Sequence, residues 1–293
     1  MLKTRSYILL ALAMCSWGAA NPLADIALRE MSVSHMLLTE IGAGLVVLSL
    51  FAVVRGLNFR ISWKWAALLG ILQPGLTFLF GNIGYVTGTV VTGLIIMASE
   101  VLLLAVFGVL FLRERINGFE TIAIIVGFSG ALLVGWSATN EGLGTIASAL
   151  AFLLAATCAA GYSIAIRYYA LKFPDSDMFH LTWAQTFITF LLILISLPLT
   201  SNLFETASFS SYSSLTIFSA IGSGIFGVAI PFVLYAEASR VVPARHAAIG
   251  LNIIPVVGIS IGAALGLGLP TGLQYLGGFL VLASLFALSR REA

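Results

Sequence analysis

Three acids stand inside long apolar stretches of this 293-residue chain. Glu100 is flanked by Leu94-Ile95-Ile96-Met97-Ala98-Ser99 on one side and by Val101-Leu102-Leu103-Leu104 on the other, with no neighbouring base. A charge at such a position loses its water, so it must face a wet cavity or take up a proton. Ionisable groups at membrane depth are functional by default. The chemistry open to Glu100 is therefore binding a proton or binding the ammonium group of a solute. Glu40 lies nearer an aqueous boundary, where lining a cavity and simple hydration both account for it. Asp25 precedes Arg29 by one helical turn, the spacing of an i,i+4 ion pair.

Gly18, Asn21 and Asp25 share one helical face, and Pro22 on that face frees a backbone carbonyl. In lipid, such a group is tolerated only where protein or cavity water satisfies it, so the face points inward. Trp17 sits in mid-stretch, away from the interfacial belt usual for Trp, which suits a cavity wall or helix packing. Asn82, Asn252, Gln73 and Gln185 are polar residues at depth. Each is placed to contact a solute or to bridge helices. Tyr85 and Tyr162 are amphipathic wall candidates, whereas Tyr235 reads as an interfacial anchor. His35, His180 and His246 lie at predicted helix ends, as surface residues without metal-ligand spacing. Cys15 and Cys158 fall in apolar runs and read as buried packing thiols. No Gly-x-x-x-x-Gly-Lys loop is present, nor a plausible Ser-His-acid set. The residues therefore call for no cofactor and no metal, and an enzyme is not expected.

These side chains need apolar scaffolding to hold them. Of all residues 60% are hydrophobic and 9% charged, against roughly 25% charged in a soluble domain. So few charges cannot cover a water-facing surface. That excludes a soluble enzyme, a disordered chain and a nucleic-acid binder, and indicates an all-α polytopic membrane protein. A spanning helix takes about 20 apolar residues, and ten runs qualify: 6–28, 33–55, 64–87, 90–112, 118–136, 144–167, 178–199, 214–236, 245–267 and 271–289. The first is too long for the apolar core of a signal peptide and is read as a helix.

With the N-terminus cytoplasmic and sides assigned alternately, the inner face receives Lys3, Arg5, Arg55, Arg60, Lys64, Arg113, Arg115, Arg167, Lys172, Arg240, Arg245, Arg290 and Arg291, leaving only Arg29 outside. The positive-inside rule expects such a bias. Ten transmembrane helices, with N- and C-termini both cytoplasmic in a cell (inner) membrane, follow as the expectation.

Transporters are often two inverted repeats. Sliding 84–136 by 154 positions sets Gly108 on Gly262 and Ala123 on Gly277, a weak internal match. An odd number of helices per half inverts the second half, giving repeats at 1–137 and 144–293. Arg113-Glu114-Arg115 closes helix 4 on the inside, whereas the matching Leu267-Gly268-Leu269 of helix 9, on the outside, carries no charge.

The five-plus-five pattern, the early Trp17-Gly18, the Arg-Glu-Arg after helix 4 and the Pro in Leu251-Asn252-Ile253-Ile254-Pro255-Val256 together resemble the drug/metabolite transporter superfamily, in its EamA-like ten-helix branch. The resemblance implies a secondary transporter of small organic metabolites, such as amino acids or related amphipathic solutes, exporting them by alternating access. It also implies a central cavity walled by helices 1–4 and 6–9, and Asn82 and Asn252, which fall on those helices, rank higher as solute contacts. The chain departs from the family at Glu100-Val101, where a Pro is frequent, and at Gly268-Leu269, where an acid is frequent. The alternatives are a proton-coupled exporter of cationic or amphipathic drugs and a passive channel. The partners expected are a small-molecule substrate, membrane lipid and protons as the candidate coupling ion, with no nucleic acid. A monomer is compatible with all of these.

Overall fold

The computed structural model describes residues 2–87, 96–97, 99–136, 146–200, 211–266 and 271–292. Among them the regular structure is helical: α1 Leu2–Leu28, α2 Val33–Arg55, α3 Trp63–Thr87, α4 Ser99–Leu112, α5 Gly118–Trp136, α6 Ile146–Lys172, α7 Met178–Thr200, α8 Ser214–Ala238, α9 Ala244–Ala264 and α10 Gly272–Glu292. Seven of these are long and apolar enough to cross a membrane; shorter apolar segments run over Ser99–Leu112, Gly118–Gly130 and Tyr275–Ser284. The chain is a polytopic membrane protein. The expected start of helix 4 near residue 90 and the Leu267-Gly268-Leu269 end of helix 9 lie outside the described residues.

Local sequence sets the helix starts. Ser32 caps α2 by accepting from His35 N at 3.4 Å, and Ser213 caps α8 by accepting from Thr216 N at 3.2 Å. Asn117 and Glu120 form a reciprocal capping box on α5, with Glu120 N donating to Asn117 Oδ1 and Asn117 N to Glu120 Oε2, both at 2.9 Å. Each such pair satisfies backbone donors that the first helical turn leaves open.

The helices pack in a regular scheme. α1 lies against α8 and α9, α6 against α3 and α4, α2 against α7 and α8, and α3 against α7. α4 also meets α9, while α5 and α10 pair with each other at one flank. Close approach depends on small residues at the crossings. A Cβ on Gly224 would sit 2.2 Å from the carbonyl oxygen of Glu40, and one on Gly18 would sit 2.8 Å from that of Ile254. Glycine is what lets α8 reach α2 and α1 reach α9.

Two helices carry a widened turn in mid-course, over Ile71–Leu76 in α3 and Ile225–Ala229 in α8. A proline follows the start of each break: Pro74, with its neighbour Gln73 out of the helical conformation, and Pro231. Proline has no N–H for the carbonyl four residues earlier, here Gly70 and Gly227. Both carbonyls are satisfied from another helix. Thr189 Oγ1 of α7 donates to Gly70 O at 2.7 Å, and Trp17 Nε1 of α1 donates to Gly227 O at 2.9 Å. The neighbouring Phe226 O takes Ser16 Oγ at 2.7 Å. This is how a broken helix survives where no water is at hand.

Several sequence expectations are corrected. Tyr235 is no interfacial anchor but 2% exposed, packed on Trp17 and Tyr162. His180 and His246 are buried, because each meets an acid, Asp177 and Glu120 respectively. Cys15 is not buried but exposed on the outside of the bundle, and Cys158 is half-buried; an apolar run reaches the lipid side as readily as the interior. Asp25 and Arg29 do form their i,i+4 pair, at 2.7 Å.

Candidate functional site

A cavity of about 180 Å³ lies among α1–α4, α6, α8 and α9. One water needs only about 10–15 Å³, so the space holds several waters or a small organic molecule. Its wall contains Trp17, Asn21, Glu40, Asn82, Tyr85, Glu100 and Asn252, seven of the eight site residues expected from sequence. Tyr162 is the exception. It is fully buried, with its ring 5.4 Å from Phe232 and 6.2 Å from Tyr235, and stands behind the wall. Gln73, Thr77, Ser163 and Ser223 complete the polar lining, and Phe78 and Phe152 add aromatic surface.

The two carboxylates are held differently. Glu40 is 2% exposed; its Oε1 accepts from Asn82 Nδ2 at 3.0 Å and its Oε2 from Ser223 Oγ at 3.3 Å. One acid thereby ties α2 to α3 and α8. Glu100 is half-buried at the start of α4, and Ile96 and Met97 just before it are helical. Among the described residues no hydrogen bond or ion pair reaches its carboxylate. The indole N–H of Trp17 is engaged by Gly227 O, so Trp17 offers the cavity its ring surface. Tyr85 stands edge-on to Phe152 at 5.1 Å. Asn252 is wedged beside α5, where a Cβ on Gly127 would come within 2.5 Å of its Nδ2.

On α1, α2 and α4 the cavity residues lie in the half away from the basic end, where Lys3, Arg55 and Arg113 stand, while on α6, α8 and α9 they reach mid-helix or a little past it. Between the cavity and the basic end, Leu10, Met14, Leu104, Phe232 and Tyr235 are buried. The basic end itself is closed by ion pairs. Glu114 accepts from the backbone N–H groups of Ala244 at 3.0 Å and Arg245 at 3.3 Å, the first turn of α9, where the helix dipole favours an anion. Arg167 Nε and Arg245 Nη1 stand 3.9 and 3.8 Å from the same carboxylate. Glu120 Oε1 accepts from Arg245 Nε at 2.7 Å and lies 3.2 Å from His246 Nε2, and Tyr7 Oη meets His246 Nδ1 at 2.5 Å. Arg167 donates to Ser239 O at 2.6 Å, and Arg240 donates to the carbonyls of Pro174 and Ser176. α1, α4, α5, α6, α8 and α9 are joined there.

At the opposite end Glu30 clamps the start of α8. It accepts from Ser213 N at 3.1 Å and from Thr216 Oγ1 at 2.8 Å. The Ser213 N–H first, and then the Thr216 and Ser213 hydroxyls, hold its carboxyl below the ordinary range.

Sequence reasoning did not single out Ser163, Ser223 or Thr77, because Ser and Thr in apolar helices so often bond their own backbone. Glu114 was visible within Arg-Glu-Arg, but its two arginine neighbours hid that its partners lie on other helices.

The profile of the EamA-like transporter family matches residues 4–136 and again 146–290. An uncharacterized transporter of Archaeoglobus fulgidus is 29% identical over 135 residues, 44% of this chain and 47% of that protein, so the match spans about half its length. The uncharacterized transporter YvbV of Bacillus subtilis is 25% identical over 98% of this chain and 92% of its own. A solved structure titled only "Crystal structure of protein" superposes with a TM-score of 0.80 at 18% identity, covering 98% of both chains, which bears on the fold. With its profile matched along nearly the whole length, the chain belongs to the EamA-like transporter family, within the drug/metabolite transporter superfamily.

Proposed function

We propose that the protein is a secondary active transporter that moves a small organic metabolite, an amphipathic solute of the size of an amino acid or amine, by alternating access and exports it across the cell membrane. The observation that carries this reading is the cavity. It lies at the interface of the two halves, is lined by an acid that no hydrogen bond or ion pair reaches among the described residues, and is sealed on one side by buried apolar residues and ion pairs. A solute site at a repeat interface with one side closed is what alternating access requires.

Ten spans arranged as inverted repeats at 1–137 and 144–293 are part of the proposal. The packing scheme supports it, because exchanging each helix of the first half with its counterpart in the second leaves the main contacts unchanged. α1–α8 becomes α6–α3, α1–α9 becomes α6–α4, α2–α8 becomes α7–α3, and α2–α7, α4–α9 and α5–α10 map onto themselves. The widened turns fall in α3 and α8, which are counterparts. The gathering of arginines at one end supports cytoplasmic termini. Glu100 binds either a proton or the ammonium of the solute. Neither ATP nor a catalytic step enters the cycle.

Counterflow in proteoliposomes tests this. Vesicles preloaded with an unlabelled mixture of amino acids and amines should accelerate saturable uptake of a labelled member, and Glu100→Gln should alter its rate and its dependence on pH between 5 and 8. Flux without saturation or trans-stimulation would mean a channel. A wild-type rate and pH profile in Glu100→Gln would remove that residue from the mechanism.

A further inference from the structure

The charge balance of the cavity wall narrows the class of solute. Glu40 and Glu100 line it, and among the described residues no Lys, Arg or His does. The lack of bases extends to the spans themselves: 6–28, 36–54, 65–112, 146–166, 214–236 and 247–264 contain no Lys, Arg or His. No cation can therefore swing into the cavity from the helices that form it. Arg167 and Arg245 are engaged at the basic end, by Ser239 O and by Glu120, and Arg29 beyond the other end of α1 is paired with Asp25.

The acids differ in what they leave open. Both oxygens of Glu40 are hydrogen-bonded, to Asn82 and Ser223. Glu100 lines the cavity with no hydrogen bond or ion pair to its carboxylate among the described residues. The same wall carries aromatic rings. The Trp17 ring has its N–H engaged, and Phe78, Tyr85 and Phe152 share the lining. A carboxylate that shares a cavity with aromatic rings can receive an ammonium group, by charge and by cation–π attraction. An anionic group fares worse. Only neutral donors such as Asn21, Gln73 and Ser163 are offered to it, in the field of two acids and in a medium where water screens little. Discrimination by repulsion is as effective as discrimination by attraction.

We propose that this cavity selects organic cations, an ammonium joined to an apolar or aromatic body, with Glu100 as counter-charge and Trp17 as π surface, over zwitterions and anions of the same shape. The proposal rests on the reading of this cavity as the transport site, and it separates the amines from the amino acids within the solutes considered above.

The test uses the purified full chain and three probes with one aromatic body: phenyltrimethylammonium, phenylalanine and phenylacetate. Binding is measured by isothermal titration calorimetry in detergent, and counterflow separately in proteoliposomes. The expected result is phenyltrimethylammonium binding at least tenfold more tightly than either competitor. Glu100→Gln should weaken it tenfold or more, and Trp17→Leu several-fold. Preference for phenylalanine or phenylacetate, binding of none of the three, or cation affinity lost in Glu40→Gln but kept in Glu100→Gln would each overturn the assignment. Glu100-dependent cation binding without counterflow would uphold the solute class and sink the transport reading. Counterflow of phenylalanine alone would do the reverse.

Discussion

Two carboxylates at opposite ends of α4 have opposite surroundings. Glu114 receives two backbone N–H groups of α9 and stands between Arg167 and Arg245. Glu100 has no such partner among the described residues and faces the cavity. The saturated acid fastens helices of both halves together, whereas the other, on the function proposed above, is the one open to a proton or a solute. In a chain with so few charges, the number of partners separates an acid that builds the protein from an acid that serves it.

The contrast can be broken by substitution, read as thermal unfolding in detergent. Glu114→Ala should give the largest loss, about 3 kcal/mol, because removing one member of a buried ion pair strands the other, here Arg167 together with the open N–H groups of α9. Asn82→Leu comes next, at about 2 kcal/mol, since it leaves Glu40 buried with an unmet oxygen. Tyr7→Phe removes the hydrogen bond to His246 and should cost about 1 kcal/mol. Glu100→Gln should shift stability by less than about 0.5 kcal/mol. If it destabilised as much as Glu114→Ala, Glu100 would have a structural partner and the distinction would fall.

Glu30 sharpens the comparison at its weak limit, since it is a clamp on the surface. Its folded carboxyl sits below the ordinary value of 4.5, so its contribution is full above that value and is lost as pH falls through the lower folded one. Glu30→Gln should trail the parent slightly at neutral pH, and the gap should close below pH 4.5 when unfolding is followed across an acid titration.

Much of this was legible in the residues. Long apolar runs mark helices because the bilayer dictates their length, and the described helices fall on the expected runs. Asn21, Glu40, Asn82, Glu100 and Asn252 were legible as wall residues because a polar group in an apolar span needs a reason. Depth within the bundle was harder. Tyr235, His180 and His246 are buried by partners that lie 60 or more residues away or on a helix cap, and Cys15 turns outward although its run is as apolar as any. Tyr162 has the composition of a wall residue, but it is fully buried against the rings of Phe232 and Tyr235. Which side of a uniformly apolar helix faces inward is decided by its neighbours, and the helix itself carries little sign of it.

The proline breaks in α3 and α8 have a consequence for how the chain is made. The ribosome releases α1 long before α8, so the Trp17 indole enters the membrane without its acceptor, and the Gly70 carbonyl likewise precedes Thr189. Each bond closes only when the later helix arrives. The early spans must therefore wait in lipid as an unfinished assembly, and a chain halted before α8 should be marked for quality-control proteolysis by the polar groups it cannot yet pair.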